Sequence, residues 1–210
     1  MRRDNRRHRA DLKAIARRAM IDRGLLPDFS DAVMTEIGRI TSPAIENDPR
    51  IRDLRGLLWA SIDNNDSEDL DQLTVAEPLS GGAVKVLVAI ADVDSIVKKG
   101  TAVDGHARHN TTSVYTAAQI FSMLPETFST DLTSLRQGEE RLAIIVEIVI
   151  GEDCSIAKWD LYRAVVCNRA KLTYHGVGHG LKAKDLFRSG SRRCLALTSR
   201  FAFRMKLPRD

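Results

Sequence analysis

The chain has 210 residues, 43% of them hydrophobic and 29% charged, the balance of a globular protein with room for one substantial core. No apolar run approaches the ~20 residues needed to span a bilayer. The Arg-rich start leads into no apolar segment of the kind a secretory signal needs. The net charge of +4 is unevenly spread: residues 1–18 carry +6, residues 175–210 carry +7, and the stretch between them carries −9. Basic ends can hold a polyanion through phosphate contacts or simply solubilise a chain, and charge alone does not choose between these. Cys154, Cys167 and Cys194 are widely spaced with no Cys-x-x-Cys pair, which suits a reducing, cytoplasmic setting and offers no zinc site.

In chain order, Met1–Arg9 is too polar to fold alone. Leu12, Ile15, Ala16, Ala19 and Met20 then form the stripe of an amphipathic helix, with Gly24 as its C-cap. Ser30 is an N-cap for a second helix over Asp31 to Ile40, and the stripe is expected to be buried in packing. Thr41 to Arg52, with two prolines and mixed charges, reads as a linker. Strands are expected at Leu57–Ile62, Leu70–Glu77 and Ala83–Ala91, the last two joined by a tight turn at Ser80-Gly81-Gly82. A short polar helix follows at Thr101–Asn110, then an extended or irregular stretch from Val114 to Leu124. Leu142–Ile150 is apolar throughout, the pattern of a strand buried on both faces. Ile156–Cys167 reads as a further strand, and Asn168–Tyr174 as the opening of a helix. The glycines at 176, 178 and 180 break any helix there, and a short helix is expected around Cys194–Phe203. The reading is α+β: a mainly antiparallel sheet in 45–174, a basic tail and helical pair in 1–44, and a basic tail in 175–210.

Between the first two strands lies Ser61–Gln72, with Asp63, Asp66, Glu68, Asp69 and Asp71 inside nine residues. Carboxylates so close repel one another unless cations or water offset the charge. A calcium loop starting at Asp63 would need Gly at its sixth position and Glu at its twelfth, where Glu68 and Thr74 stand. Two readings remain from spacing. One is a solvated acidic loop. The other is a magnesium site for phosphoryl chemistry, with Asp69 and Asp71 on one face of a strand and Asp63 approaching from across the loop. The histidine pairs 106/109 and 175/179 are read as surface residues and Asp92 as structural, capping a strand end.

The run Ser61–Gln72 resembles the signature of the ribonuclease II and ribonuclease R family, the RNB domain. Further motifs follow in the family's order: Val88–Val93, Thr112–Tyr115, Met123-Leu124-Pro125, Leu132–Leu135, Arg141-Leu142 and Arg169–Tyr174. The resemblance covers about Asp53 to Tyr174. It implies a Mg²⁺-dependent exoribonuclease that degrades single-stranded RNA from the 3′ end to nucleoside 5′-monophosphates. By position, Asp71 would be the aspartate most critical to hydrolysis, with Asp69 supporting it. Asp63, Asp69, Asp71 and Gln72 would hold the metal. Tyr115 would stack on a base, with a packed aromatic as the alternative, and Tyr174 would lie near the ribose. Two departures stand out. Gln72 replaces the family's fourth aspartate, and nothing after Tyr174 matches the later helical half of the domain. The chain is therefore expected to be a truncated N-terminal half, either an exoribonuclease or an inactive RNA-binding fragment.

Overall fold

The computed structural model describes residues 2–45 and 48–180, with backbone only for 2–10 and 178–180. In chain order the regular elements are α1 (Arg2–Asp22), α2 (Asp31–Ile37), β1 (Arg52–Asp53), β2 (Ala60–Asp63), β3 (Gln72–Pro78), β4 (Val84–Ala91), α3 (Ala102–Asn110), β5 (Val114–Tyr115), β6 (Ile120–Phe121), β7 (Glu140–Ile150), β8 (Ile156–Cys167), β9 (Ala170–Thr173) and α4 (Tyr174–Gly180). The described residues divide into two compact units: 2–42 with Val93–Ser129, and Pro43–Asp92 with 130–180.

The first unit is helical, with a small β5–β6 hairpin. α1 begins at Arg2, earlier than the charged start suggested, because arginine is a good helix former once a helix is nucleated downstream. Its end is a Schellman cap: Gly24 is left-handed at φ 73° and its N–H reaches the Ile21 carbonyl, while Leu25 N–H reaches that of Met20 (both 2.9 Å). The stripe expected to be buried is not: Leu12 and Ile15 are 50% and 64% exposed, and Met20, at the C-terminal end, is the residue that packs. Ser30 caps α2 as expected, accepting from Val33 N–H, and Thr101 caps α3 in the same way from Asp104 N–H. α2 stops at Ile37, three residues early, where Gly38 caps it. Glu36 accepts from Val103 N–H, and Asn110 exchanges two 2.9 Å hydrogen bonds with the backbone of Leu26.

His106, read as a surface residue, is buried against Phe29. Its Nε2 lies 3.2 Å from the Asn110 side-chain nitrogen, which already donates to Leu26 O. The amide is a donor there, so the ring must accept and stay neutral.

The second unit is a seven-stranded sheet in the order β1-β8-β7-β4-β3-β2-β9. Four neighbour pairs are antiparallel; β1–β8 and β2–β9 are parallel. β-branched runs in β4 and β7 fill the centre. One face carries the core, with Trp59, Leu73, Leu87, Ile145 and Val166 essentially inaccessible. Each such side chain contributes roughly 1.5–3 kcal/mol by leaving water. The other face is only partly covered. Residues 146–150 of β7 are half-buried, contrary to the expectation of a strand buried on both faces. The register explains why: Val146 and Ile148 stand beside Leu161 and Trp159, which are 59% and 72% exposed.

Two expectations near the C-terminal end fail. Asn168–Tyr174 does not open a helix. Residues 170–173 form β9 instead, because parallel pairing with β2 satisfies their backbone. Residues 174–180 are helical despite three glycines, on contacts with β9 and β2. The helix expected around Cys194–Phe203 lies outside the described residues.

Burial lowers the pKa of His106, with repulsion from His109 adding to it. A histidine depressed in the folded state favours folding above its unfolded value of ~6.5 and loses that contribution as pH falls. Chemical-denaturation midpoints measured from pH 7.5 to 5 should therefore drop in the wild type, and drop less in His106→Gln. Parallel pH profiles for the two proteins would refute the assignment.

Candidate active site

β2 delivers Asp63 at its last position, where the parallel register sets it beside Thr173 of β9. Asp63 is half-buried, and its Oδ1 accepts from Asn64 N–H and from the Ser67 hydroxyl, both at 2.7 Å. These bonds turn the chain sharply out of the strand. From Asn64 to Asp71 the backbone is irregular, and its polar groups are met by other segments. Lys171 Nζ donates to the carbonyls of Asn65 (3.2 Å) and Ser67 (2.6 Å). The Ser134 hydroxyl accepts from Leu70 N–H (3.1 Å) and donates to Glu68 O (2.8 Å). Leu135 N–H then reaches Leu70 O at 2.7 Å, and Ala91 N–H reaches Asp71 O at 2.9 Å.

The expectation that Asp69 and Asp71 share a strand is corrected here. β3 begins only at Gln72, because the Leu70 backbone bonds to Ser134 and Leu135 rather than to a strand. Both aspartates nevertheless lie on the solvent side, flanking a Leu70 that is 4% exposed. Gln72 is exposed beside Ile90.

Asp71 registers its surroundings. The Asp71 carboxyl is pushed above the ordinary aspartate range, first because surrounding protein keeps water from part of it, and then by repulsion from Asp69 and Asp63. A hydrogen bond from its own backbone opposes the shift. Among the described residues, no group of three or more His, Cys, Asp or Glu converges closely enough to cage a metal ion. The donors still fit a hard divalent cation in kind. All are oxygens, Mg²⁺ keeps several waters and takes only one or two protein carboxylates, and the repulsion felt at Asp71 is what a cation would relieve.

A cavity of about 450 Å³ opens beside the loop, lined in part by Ser67, Glu68, Leu70, Arg136 and Lys171. Tyr174 is 59% exposed, one residue past the Asp63–Thr173 pair. Tyr115 lies in the other unit, on the β5–β6 hairpin; at 69% exposure it is no packed core aromatic. Asp92 is structural: it is buried and paired with Arg163 Nε at 2.8 Å. The sequence reading gave no role to Ser134, Lys171 or Asn168. Asn168, 1% exposed, ties the unit together by donating to Leu135 O and Ser61 Oγ and accepting from Ala170 N–H. The available signal was that Ser134 and Lys171 sit inside short motifs shared with a family.

A family model, the RNB domain, matches residues 51–205. The match continues past Tyr174, where the sequence resemblance was read as ending. Ribonuclease R of Escherichia coli (strain K12) is 38% identical over 130 residues, covering 62% of this chain and 16% of that protein. Ribonuclease R of Aquifex aeolicus is 34% identical over 165 residues, covering 78% of this chain and 23% of that protein. Among solved structures, Mycoplasma genitalium RNase R in complex with ribose-methylated single-stranded RNA aligns with a TM-score of 0.74 at 25% identity. That alignment covers 91% of this chain and 29% of that one. The chain thus spans about a fifth of the length of the curated relatives named here.

Carbon-detected NMR titration of the side-chain carboxyls should find Asp71 titrating above an ordinary aspartate. Asp69→Asn removes one of its like-charged neighbours and should move that titration downward. An Asp71 that titrates normally, or is indifferent to Asp69, would mean the carboxylates do not share a site.

Proposed function

The chain belongs to the RNB family, a family of 3′-to-5′ exoribonucleases, and on that premise we propose that it carries the hydrolytic site of a ribonuclease II/R-type enzyme. Its substrate is single-stranded RNA, its metal is Mg²⁺, and its products are nucleoside 5′-monophosphates. The observation that carries this reading is the placing of Asp63, Asp69 and Asp71 on one loop whose backbone is held from two sides.

The ion would draw one or two ligands from among Asp63, Asp69, Asp71 and the neutral carbonyl of Gln72, with water supplying the rest, and it would supply positive charge against the scissile phosphate when bound. Asp71 is the group most critical to hydrolysis. A carboxylate at that place can take a proton from attacking water. Asp69 supports it from across Leu70. Tyr174, following the residue paired with Asp63, is set to meet the ribose. The exposed ring of Tyr115 suits base stacking, a contact worth ~1–3 kcal/mol. Gln72 brings one negative charge fewer than an aspartate would, so the cation is held less strongly.

That same Gln72 favours the second reading, an RNA-binding chain without turnover. The two are separated by incubating the purified chain with 5′-labelled single-stranded RNA and Mg²⁺ beside Asp71→Asn. The exoribonuclease reading expects shortening from the 3′ end in the wild type and a loss of roughly 10²–10⁴-fold in the variant. Gln72→Asp should lower the Mg²⁺ concentration needed for half-maximal rate. Equal cleavage by wild type and Asp71→Asn, or none by either, would defeat intrinsic activity; salt-dependent RNA binding without turnover would establish the second reading.

A further inference from the structure

The arc from Asn64 to Leu70 separates Asp63 from Asp69 and Asp71, and it also carries Asp66 and Glu68. Charge alone would drive this arc open. At its far end, the Ser134 hydroxyl and Leu135 N–H grip Glu68 and Leu70. At its near end, besides the bonds to Asp63 itself, the grip comes from a side chain of another strand. Lys171 stands on β9 opposite Ser61, two residues before the partner of Asp63. Its ammonium reaches out of the strand to two loop carbonyls, Asn65 at 3.2 Å and Ser67 at 2.6 Å. Ser67 is also the residue whose hydroxyl donates to Asp63 Oδ1 at 2.7 Å. One continuous run of hydrogen bonds therefore leads from the Lys171 ammonium, through Ser67, to the carboxylate of Asp63.

We propose that Lys171 is a positioning residue for the acidic site: its ammonium clamps the Asn65 and Ser67 carbonyls and so fixes where Asp63 stands relative to Asp69 and Asp71. The inference rests on the exoribonuclease reading. A lysine suits the task because it offers three rotatable donors on a flexible stem, enough for two carbonyls that do not lie in one plane. Its charge also puts a cation on the backbone of a loop that carries several carboxylates. The other basic group lining the neighbouring cavity, Arg136, is engaged with Asp131 at 3.1 Å. Among the described residues Lys171 donates to loop backbone and to no carboxylate oxygen, so its effect is on position and not on proton transfer.

The test compares Lys171→Met, which keeps the stem and loses the donors, with Lys171→Arg, which keeps charge and donors. Lys171→Gln, with one amide donor group, is the second variant should Lys171→Met fail to fold. Two readouts are taken on the full chain: steady-state cleavage of labelled RNA, and hydrogen exchange of the 64–70 amides. Lys171→Met should lower kcat by roughly 10–100-fold, the usual cost of losing a group that orients a metal site's ligands, with KM for RNA little changed. Its 64–70 amides should exchange faster while those of β4 and β7 do not, and Lys171→Arg should restore both properties. If the wild type cleaves and Lys171→Met matches its kcat, the inference falls and the exoribonuclease reading stands. If Lys171→Met loses activity with unaltered loop exchange, Lys171 acts on the substrate directly and the positioning role is overturned. If the wild type does not cleave, that reading falls, and exchange alone decides: faster exchange rescued by arginine upholds the clamp, and unchanged exchange removes it.

Discussion

Like charges brought together must be held together by something else. In this chain several carboxylates fall within nine residues, and the pKa of Asp71 registers the presence of Asp69 and Asp63. The restraint comes from contacts to the backbone between them. Ser134, 1% exposed, satisfies the N–H of Leu70 and donates to the carbonyl of Glu68, so the backbone on either side of Asp69 is held by one hydroxyl. Leu70 is buried between the two aspartates and gives the apolar anchor. A buried hydrogen bond of this kind contributes only about 1 kcal/mol net, but leaving Leu70 N–H unmet would cost about 1–3 kcal/mol. The loop thus has little to gain by opening.

The sheet order makes that restraint possible. β2 and β9 lie side by side in parallel although more than a hundred residues separate them, and Asn168 locks their start by bonding to Ser61, Leu135 and Ala170. That pairing brings Lys171 and Tyr174 to the same end of the sheet as Asp63. The Leu132–Leu135 motif arrives from the segment before β7. Residues far apart in sequence therefore meet around one loop, which is a reason for short motifs scattered along a chain to recur in a fixed order.

What could be read in the sequence follows from where each signal is written. Caps are local, and Ser30, Thr101 and Gly24 all act as their residue types require. Long β-branched runs are nearly local too, and β4 and β7 lie close to the expected Ala83–Ala91 and Leu142–Ile150. β9 was misread because Asn168–Tyr174 has no strong intrinsic preference and takes its conformation from β2. The stripe at Leu12 and Ile15 has helical period and forms a helix, but periodicity does not tell whether anything covers it. The aspartates were legible as residue types at a spacing. Ser134 and Lys171 were not, since a side chain that bonds to distant backbone leaves no pattern in its own neighbourhood. The family match also runs on through residues 175–205, where no short motif of the family stands out by eye.

The two tryptophans occupy opposite environments. Trp59 is sealed in the core one residue before β2, its indole N–H on Leu54 O and its carbonyl accepting from Arg169 N–H, four residues from Asp63. Trp159 is 72% exposed on β8, near the far edge of the sheet. The chain therefore carries two intrinsic fluorophores of different colour. One emits to the blue and is shielded from soluble quenchers; the other emits to the red and is open to them. Light from the first reports on the strand that presents the acidic loop, and light from the second on the surface opposite the core.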